Sequence, residues 1–206
     1  SKDRKYINCY IDLIRYIRKY NNINLIISCR KYDLQNDDAI RNIKASRYIE
    51  VPPLTEGEIK SITSILGINY DALPTNVKTL CGLPYFLHLI SELHKERVDV
   101  TQLTTTLKIH QKIWEEKIEK RYSGNKGTKV KELMRFITDR ITTTCVMHIS
   151  KDPYLSEYLD VIKDLLSDSI LVDNQGAISF YHASLYDFCF ARYFILEGKD
   201  LVVYVL

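Results

Sequence analysis

Apolar residues recur at helical spacing in the first part of the chain. The first amphipathic segment spans residues 4–20, and its apolar face comprises Ile7, Tyr10, Ile11, Ile14 and Ile17. Because positions three and four apart share one face of a helix, this spacing predicts a helix. Short apolar runs at residues 23–28 and 48–51 predict two buried strands, the second ended by prolines. A helix followed by such a strand predicts an αβ unit of a parallel sheet.

The pattern is helical throughout residues 54–122. Thr55 and Glu58 have the spacing of a capping box, which starts a helix. Pro84 follows a break at Gly82 and suits the first turn of a further helix. Apolar faces at helical spacing continue through residues 59–66, 71–80, 86–95 and 101–120. We therefore expect a small helical bundle here.

The C-terminal third combines helices with a hairpin. Residues 123–127 (Ser-Gly-Asn-Lys-Gly) interrupt the helical pattern and predict a linker. Helical patterns at residues 128–141 and 153–168 follow. Two short apolar runs then flank the tight turn Asn174-Gln175-Gly176, which predicts a hairpin, and a last helix is expected from Ala183 to about Leu196. Helices followed by a two-stranded wing are typical of a winged-helix domain.

These elements predict a mostly α fold with minor β structure. We divide the chain into three segments: a remnant αβ unit at residues 1–53, a helical bundle at residues 54–122, and a winged-helix domain at residues 123–206.

Composition indicates the cellular location of the protein more than its function. Apolar residues make up 46% of the chain, enough for a core, and the net charge of +3 is too small to indicate nucleic acid or membrane by itself. The five cysteines fit no zinc or Cys-x-x-Cys spacing, so we expect buried thiols of an intracellular protein. No stretch approaches 18 consecutive apolar residues and no signal peptide is visible, which predicts a cytoplasmic protein with no membrane partner.

Arg30 and His182 have the chemistry and position to contact an anion. Arg30 follows a predicted strand, and ligands in open α/β sheets bind at the carboxyl ends of strands. His182 precedes a predicted helix, where a ring N–H adds a donor to an anion site. The competing interpretations are a solvated arginine and a structural histidine. Ser184 and Asp187 lie near His182, but no nucleophile elbow accompanies them, so we expect no hydrolase chemistry.

Four segments occur in an order that resembles the NACHT and NB-ARC domains of STAND-class P-loop NTPases, which are signalling relatives of AAA+ ATPases. They are Leu25-Ile26-Ile27-Ser28-Cys29-Arg30, residues 48–58 around Pro52-Pro53-Leu54, Cys81-Gly82-Leu83-Pro84, and residues 180–192 around His182. The resemblance spans residues 5–196. It implies that Arg30 is the sensor 1 residue near the terminal phosphate, that Pro84 packs on adenine, and that His182 contacts the phosphates of ADP or ATP.

The chain also departs from this family. It contains no Gly-x-x-x-x-Gly-Lys-Ser/Thr loop, and no apolar strand with an acidic end precedes the first helix. We therefore expect Ser1 to lie just downstream of Walker B, so that this is the C-terminal part of a nucleotide-binding module without Walker A and Walker B. The nucleotide and its Mg²⁺ would then be held mainly by the missing N-terminal half, and the chain alone would be inactive as an ATPase.

The resemblance implies a nucleotide-dependent signalling switch, used in defence or stress signalling. The bundle at residues 54–122 would be its lid. Its partners would be the nucleotide, the remainder of its own polypeptide and, on activation, a homo-oligomer.

Two alternatives stay open. The first is a replication-initiator-like AAA+ fragment whose winged helix binds DNA. The basic residues around 117–131 suit it, but the acidic residues at 153–168 would repel phosphates. The second is a winged-helix module that binds proteins.

Overall fold

Helices supply most of the regular structure. The computed structural model of the chain describes residues 2–29, 34–35, 37–150 and 153–198. Within these residues, the β structure is a small three-stranded antiparallel sheet. The prediction of a mostly α fold with minor β structure is confirmed. The chain divides into two units, residues 1–51 and residues 52–206.

The described residues of the first unit include the predicted N-terminal helix and a short helix after it. These are α1 (Lys2–Ile17) and α2 (Asp38–Arg41). The carboxylate of Asp37 caps α2, because it accepts hydrogen bonds from the N–H groups of Ala39 at 2.8 Å and Ile40 at 3.2 Å. The acidic pair at residues 37–38 therefore begins a helix.

The two strands predicted in the first unit do not form. Residues 23–28 and 48–51 are neither helix nor strand, and Ile26 and Val51 are 94% and 89% exposed. The prediction of an αβ unit of a parallel sheet at residues 1–53 is therefore wrong for this structure. A strand requires a neighbour to pair its N–H and C=O groups, and the sheet of the described residues contains neither segment. The apolar, β-branched composition favoured strands without providing that neighbour.

The second unit begins with a run of helices. In order these are α3 (Glu56–Ile65), a 3₁₀ turn (Tyr70–Ala72), α4 (Thr75–Cys81), α5 (Pro84–Lys95), a 3₁₀ turn (Val100–Gln102), α6 (Thr106–Trp114) and a π-helical segment (Glu115–Lys120). The predicted capping box of α3 is confirmed, since the Thr55 hydroxyl accepts from the Glu58 N–H while the Glu58 carboxylate accepts from the Thr55 N–H.

The π-helical segment connects α6 to the C-terminal part of the unit. The Trp114 indole N–H donates to the carboxylate of Glu119 at 3.0 Å. The same carboxylate lies 2.8 Å from the Arg192 guanidinium, which stands over the Trp114 ring at 4.8 Å. Because a π-helix forms hydrogen bonds between residues five apart, it brings residues 114 and 119 to one side.

The remaining elements alternate helices and strands. They are α7 (Gly124–Thr144), β1 (Ile149–Ser150), a 3₁₀ helix (Pro153–Tyr158), α8 (Leu159–Ser167), β2 (Leu171–Asn174), β3 (Ala177–Phe180) and α9 (Ala183–Leu196). The antiparallel sheet has the strand order β1-β3-β2. The predicted hairpin is confirmed, with Leu171 opposite Phe180 and Asn174 opposite Ala177.

Local turn chemistry explains the hairpin. Gln175 and Gly176 both have positive φ, at 57° and 84°, as a two-residue type I′ turn requires. The Gly176 N–H also donates to the Asp173 carboxylate at 2.6 Å. Glycine at the second turn position carries no steric cost for this backbone conformation.

The linker predicted at residues 123–127 is largely wrong, because Gly124 already begins α7. A Cβ atom at Gly127 would lie 2.8 Å from the carbonyl oxygen of Tyr122, so only glycine lets the helix approach the preceding chain this closely. Glycine-rich composition favoured a flexible connection, whereas here a glycine serves close packing.

The segments predicted as separate, residues 54–122 and 123–206, belong to one unit with a continuous core. Its fully buried side chains include Ile90, Leu93, Ile109, Ile113, Leu133, Met134, Ile137 and Leu165. At the junction, Arg121 pairs with the Asp168 carboxylate at 2.5 Å, and the Tyr122 hydroxyl donates to it at 3.2 Å.

The cysteines are free thiols. Cys81 and Cys189 are buried as expected, whereas Cys9, Cys29 and Cys145 are exposed. None of the helices in the described residues is both long and apolar enough to cross a lipid bilayer.

Candidate functional site

The start of α5 is held by the segment before α3. Pro84 occupies the first turn of α5, as predicted, and its side chain is exposed. Proline suits this position because the first N–H groups of a helix have no partner within the helix. Just before it, the Gly82 carbonyl accepts a hydrogen bond from the Leu54 N–H at 2.8 Å. The Pro-Pro-Leu segment and the Gly-Leu-Pro segment therefore lie side by side.

His182 caps the N-terminus of α9. Its Nδ1 atom accepts a hydrogen bond from the Ser184 N–H at 3.2 Å, a role more often taken by Ser, Thr, Asp or Asn. A backbone N–H can only donate, so Nδ1 is unprotonated and the neutral ring carries its proton on Nε2. Nε2 has no hydrogen-bond partner among the described residues. His182 thus presents one unused donor from an exposed side chain.

The starts of α5 and α9 meet through two stacked rings. The Tyr85 ring, directly after Pro84, lies 3.8 Å from the His182 ring, centroid to centroid, with 12° between their planes. Pro84 and His182, two of the three predicted site residues, therefore lie at the starts of two helices that meet through Tyr85. The third, Arg30, lies outside the described residues.

A buried histidine lies behind this stack. His110 is 3% exposed, and its Nδ1 is 2.8 Å from the Thr106 carbonyl oxygen. Its Nε2 is 3.2 Å from both the Tyr85 hydroxyl and the Ser184 hydroxyl. The Ser184 hydroxyl is also 2.8 Å from Nδ1 of His182. The four side chains of Tyr85, His110, Ser184 and His182 form one hydrogen-bonded cluster, which we call the histidine cluster.

Burial keeps the histidine cluster uncharged at neutral pH. Burial lowers the pKa of His110, against the opposing effect of its hydrogen bond to Thr106. Burial also lowers the pKa of His182, while the nearby Asp187 carboxylate raises it. Burial raises the pKa of Tyr85 to about 12. The cluster therefore offers neutral donors and acceptors rather than a fixed charge.

A catalytic triad does not form around Ser184. Asp187 is exposed, and no hydrogen bond joins it to either histidine in the part of the chain that the structure describes. Across the same part, no three His, Cys, Asp or Glu side chains are grouped to hold a metal ion.

The basic run near residues 117–131 is largely neutralised by acidic partners. Lys117 is buried and pairs with Glu92 at 3.0 Å and Glu96 at 3.5 Å. Further pairs join Lys120 to Glu116, Arg121 to Asp168, and Lys126 to Asp164. Cations engaged in this way are less free to bind nucleic acid phosphates.

Three residues of the cluster, Tyr85, His110 and Ser184, were not among the predicted site residues, and Ser184 was considered only for a hydrolase site. Tyr85 directly follows the Gly-Leu-Pro segment, and His110 is a polar residue on the otherwise apolar face of a predicted helix. Each of these two positions could have been noticed in the sequence. Their contact with Ser184 and His182, however, depends on the tertiary fold.

Comparison with known proteins adds no relative. No protein-family model matches the chain, and neither a curated protein nor a solved structure matches it.

Proposed function

We propose that the chain is the C-terminal part of a STAND-class nucleotide-binding module and acts as a nucleotide-dependent signalling switch in the cytoplasm. The observation that carries this proposal is the stack of Tyr85 on His182, with ring centroids 3.8 Å apart. It joins the segment that resembles the family's adenine contact to the residue that resembles its phosphate contact. If the Gly-Leu-Pro segment and His182 bind the same nucleotide, the distance between them must not exceed the length of that nucleotide.

The order of elements supports the winged-helix assignment of the C-terminal segment. Helix α7, strand β1, helix α8, the β2–β3 hairpin and helix α9 follow one another, and β3 lies between the other two strands. This order of elements is the observation from which we propose a winged helix for the C-terminal segment. We assign the helices from α3 to the π-helical segment to the lid.

The chemistry of His182 supports a phosphate contact. Its Nε2–H is an unused donor beside the N-terminus of a helix, where the helix dipole attracts an anion. Pro84 is exposed and adjacent to the stack, so its ring is accessible to a base. Arg30 remains the predicted third contact.

An NMR titration with ADP tests this proposal. We expect resonances of Gly82, Tyr85 and His182 to shift with a dissociation constant on the order of 1 mM, because one donor and one apolar contact supply only about 4 kcal/mol. His182→Ala should weaken ADP binding, and the matched variant at exposed His148 should leave it unchanged. Absence of shifts at Tyr85 and His182 up to about 10 mM ADP would refute the proposal.

DNA binding receives less support. Helix α8, which would enter the groove, carries Asp160 and Asp164 against a single basic residue, Lys163. The neighbouring Lys126 is itself paired with Asp164 at 2.5 Å. A salt-sensitive shift of duplex DNA by the chain would favour this alternative over the nucleotide switch.

Protein binding is favoured by one separate observation. At the end of α9, Ile195 and Leu196 are 75% and 68% exposed, which provides an apolar surface. Normal signalling by a His182→Ala variant, with loss of signalling when Ile195 is changed to Asp, would favour the interaction module.

A further inference from the structure

We propose that Tyr85 is a positioning residue which, acting through His110 and Ser184, holds the ring proton of His182 on Nε2. The inference rests on the proposed function, because Nε2–H is the donor that a phosphate would accept from. It assigns roles to Tyr85, His110 and Ser184 that their positions in the sequence do not disclose.

Two hydrogen bonds of the histidine cluster have a fixed direction. The Thr106 carbonyl can only accept, so Nδ1 of His110 carries a proton, and the other nitrogen of that neutral ring, Nε2, is an acceptor. The Ser184 backbone N–H can only donate, so Nδ1 of His182 is an acceptor. These two ring atoms are the two acceptors on either side of the Ser184 hydroxyl.

Nδ1 of His182 and Nε2 of His110 therefore compete for the single hydroxyl proton of Ser184. Its oxygen lies 2.8 Å from Nδ1 of His182 and 3.2 Å from Nε2 of His110. If the proton goes to His110, two lone pairs face each other across the shorter distance. His182 relieves this by releasing its Nε2 proton to solvent and binding a solvent proton at Nδ1, so that the ring stays neutral. That tautomer no longer caps α9 and has no Nε2–H to offer.

The Tyr85 hydroxyl directs the Ser184 proton to His182. It lies 3.2 Å from Nε2 of His110 and donates to it, which leaves the Ser184 proton for His182. Tyr85 stays protonated because burial raises its pKa to about 12. His110 stays neutral because burial lowers its pKa.

Tyr85→Phe isolates this effect. Phenylalanine keeps the ring that stacks on His182 and removes only the hydroxyl that donates to His110. Tyr181→Phe is the matched control, because Tyr181 also adjoins His182 in the chain but its ring lies near His88, with centroids 5.7 Å apart. No hydrogen bond links Tyr181 to the histidine cluster within the described residues.

The experiment is a long-range ¹H–¹⁵N correlation spectrum of the imidazole rings at neutral pH. In the wild type and in Tyr181→Phe, we expect His182 to show an unprotonated Nδ1 and a protonated Nε2. In Tyr85→Phe, the His182 signals should move toward the Nδ1-protonated form. In a Ser184→Ala background, Tyr85→Phe should have no further effect, because the path through the serine is already cut. An unchanged His182 tautomer in Tyr85→Phe, or an equal response in both backgrounds, would overturn the inference.

ADP titrations separate this inference from the proposed function. We expect Tyr85→Phe to weaken ADP binding roughly tenfold, the size of one lost hydrogen bond to a charged group. If Tyr85→Phe changes the His182 tautomer but neither the wild type nor any variant binds ADP, the proposed function fails and the role of Tyr85 stands. If the wild type binds ADP but Tyr85→Phe leaves the His182 tautomer unchanged, the role of Tyr85 fails and the proposed function stands.

Discussion

Two helical glycines differ in what surrounds them. A Cβ atom at Gly127 would lie 2.8 Å from the Tyr122 carbonyl oxygen, whereas one at Gly57 would meet nothing within 4 Å. We expect Gly127→Ala to lower the free energy of unfolding by about 1–3 kcal/mol, because backbone must move to admit the methyl group. Gly57→Ala should raise it by about 0.4–1 kcal/mol. Urea denaturation measures both, and changes of the same sign would contradict the close approach at Gly127.

Two histidines, the buried His110 and the exposed His182, make stability depend on pH. Burial lowers the pKa of His110 and of His182 in the folded chain below the ordinary value of 6.5. Below that value the unfolded chain binds protons that the folded chain does not. The stability they contribute is therefore complete above about pH 6.5 and is lost as the pH falls toward the lowered values.

We expect the free energy of unfolding to fall between pH 6.5 and pH 5 with a slope of at most about 1.4 kcal/mol per pH unit for each histidine. His182 contributes less than His110, because it is exposed and screened by solvent. His110→Gln should reduce the slope, as measured by urea denaturation across this range. A His110→Gln variant with the full wild-type slope would assign the effect to other groups.

At the scale of elements, the π-helical segment and α9 are joined by Glu119. Its carboxylate accepts from Trp114 at 3.0 Å and pairs with Arg192 at 2.8 Å. We expect a double-mutant cycle of Glu119→Ala and Arg192→Ala to give a coupling energy of about 1 kcal/mol. The exposed pair of Glu56 and Lys60 within α3 is the control, with an expected coupling of about 0.3–0.5 kcal/mol. Equal couplings would mean that Glu119 does not join the two elements.

Elements set by local rules were predictable from the sequence, and those set by distant partners were not. The Thr55–Glu58 capping box, Pro84 at a helix start and the turn at Gln175-Gly176 each depend on a few neighbouring residues, and all appear as predicted. The strand at residues 23–28 failed because strand formation depends on a neighbour elsewhere in the chain.

The candidate site divides in the same way. Pro84 and His182 could be proposed from the sequence because each lies in a recognisable local segment, and their contact with a nucleotide stays a prediction. The contact of His110 with Ser184 joins residues 74 positions apart. The periodicity of apolar residues along the chain predicts only local structure and cannot predict a contact at that separation.

At the scale of the whole molecule, the shared core makes the second unit cooperative. Side chains from the predicted lid and from the predicted winged helix are buried in one cluster. Trp114, the one tryptophan of the chain, is 2% exposed and lies near Phe188 and Tyr193 of α9. We expect Trp114 fluorescence and far-UV circular dichroism of the second unit to report the same urea midpoint. An earlier fluorescence transition would show that α9 separates first.

The absence of both phosphate-binding motifs leads to a prediction about activity. The chain lacks a Gly-rich phosphate loop, and of its proposed contacts to the nucleotide only Arg30 is charged. We expect phosphate release from ATP by the purified chain to equal the background rate, because one arginine without a phosphate loop or magnesium ligands does not stabilise the charge of the transferred group. Turnover above background that disappears in His182→Ala would contradict this.

The π-helix between Trp114 and Arg121 also sets the rotational register of everything that follows it. A π turn is an α turn with one residue added, so a chain with one residue fewer here would close into a continuous α-helix. Each residue advances an α-helix by about 100°, and the segment beyond would turn by that angle about the helix axis. Arg192 would then face away from Glu119, and the two parts of the shared core would no longer match. The length of this segment is therefore fixed to the single residue.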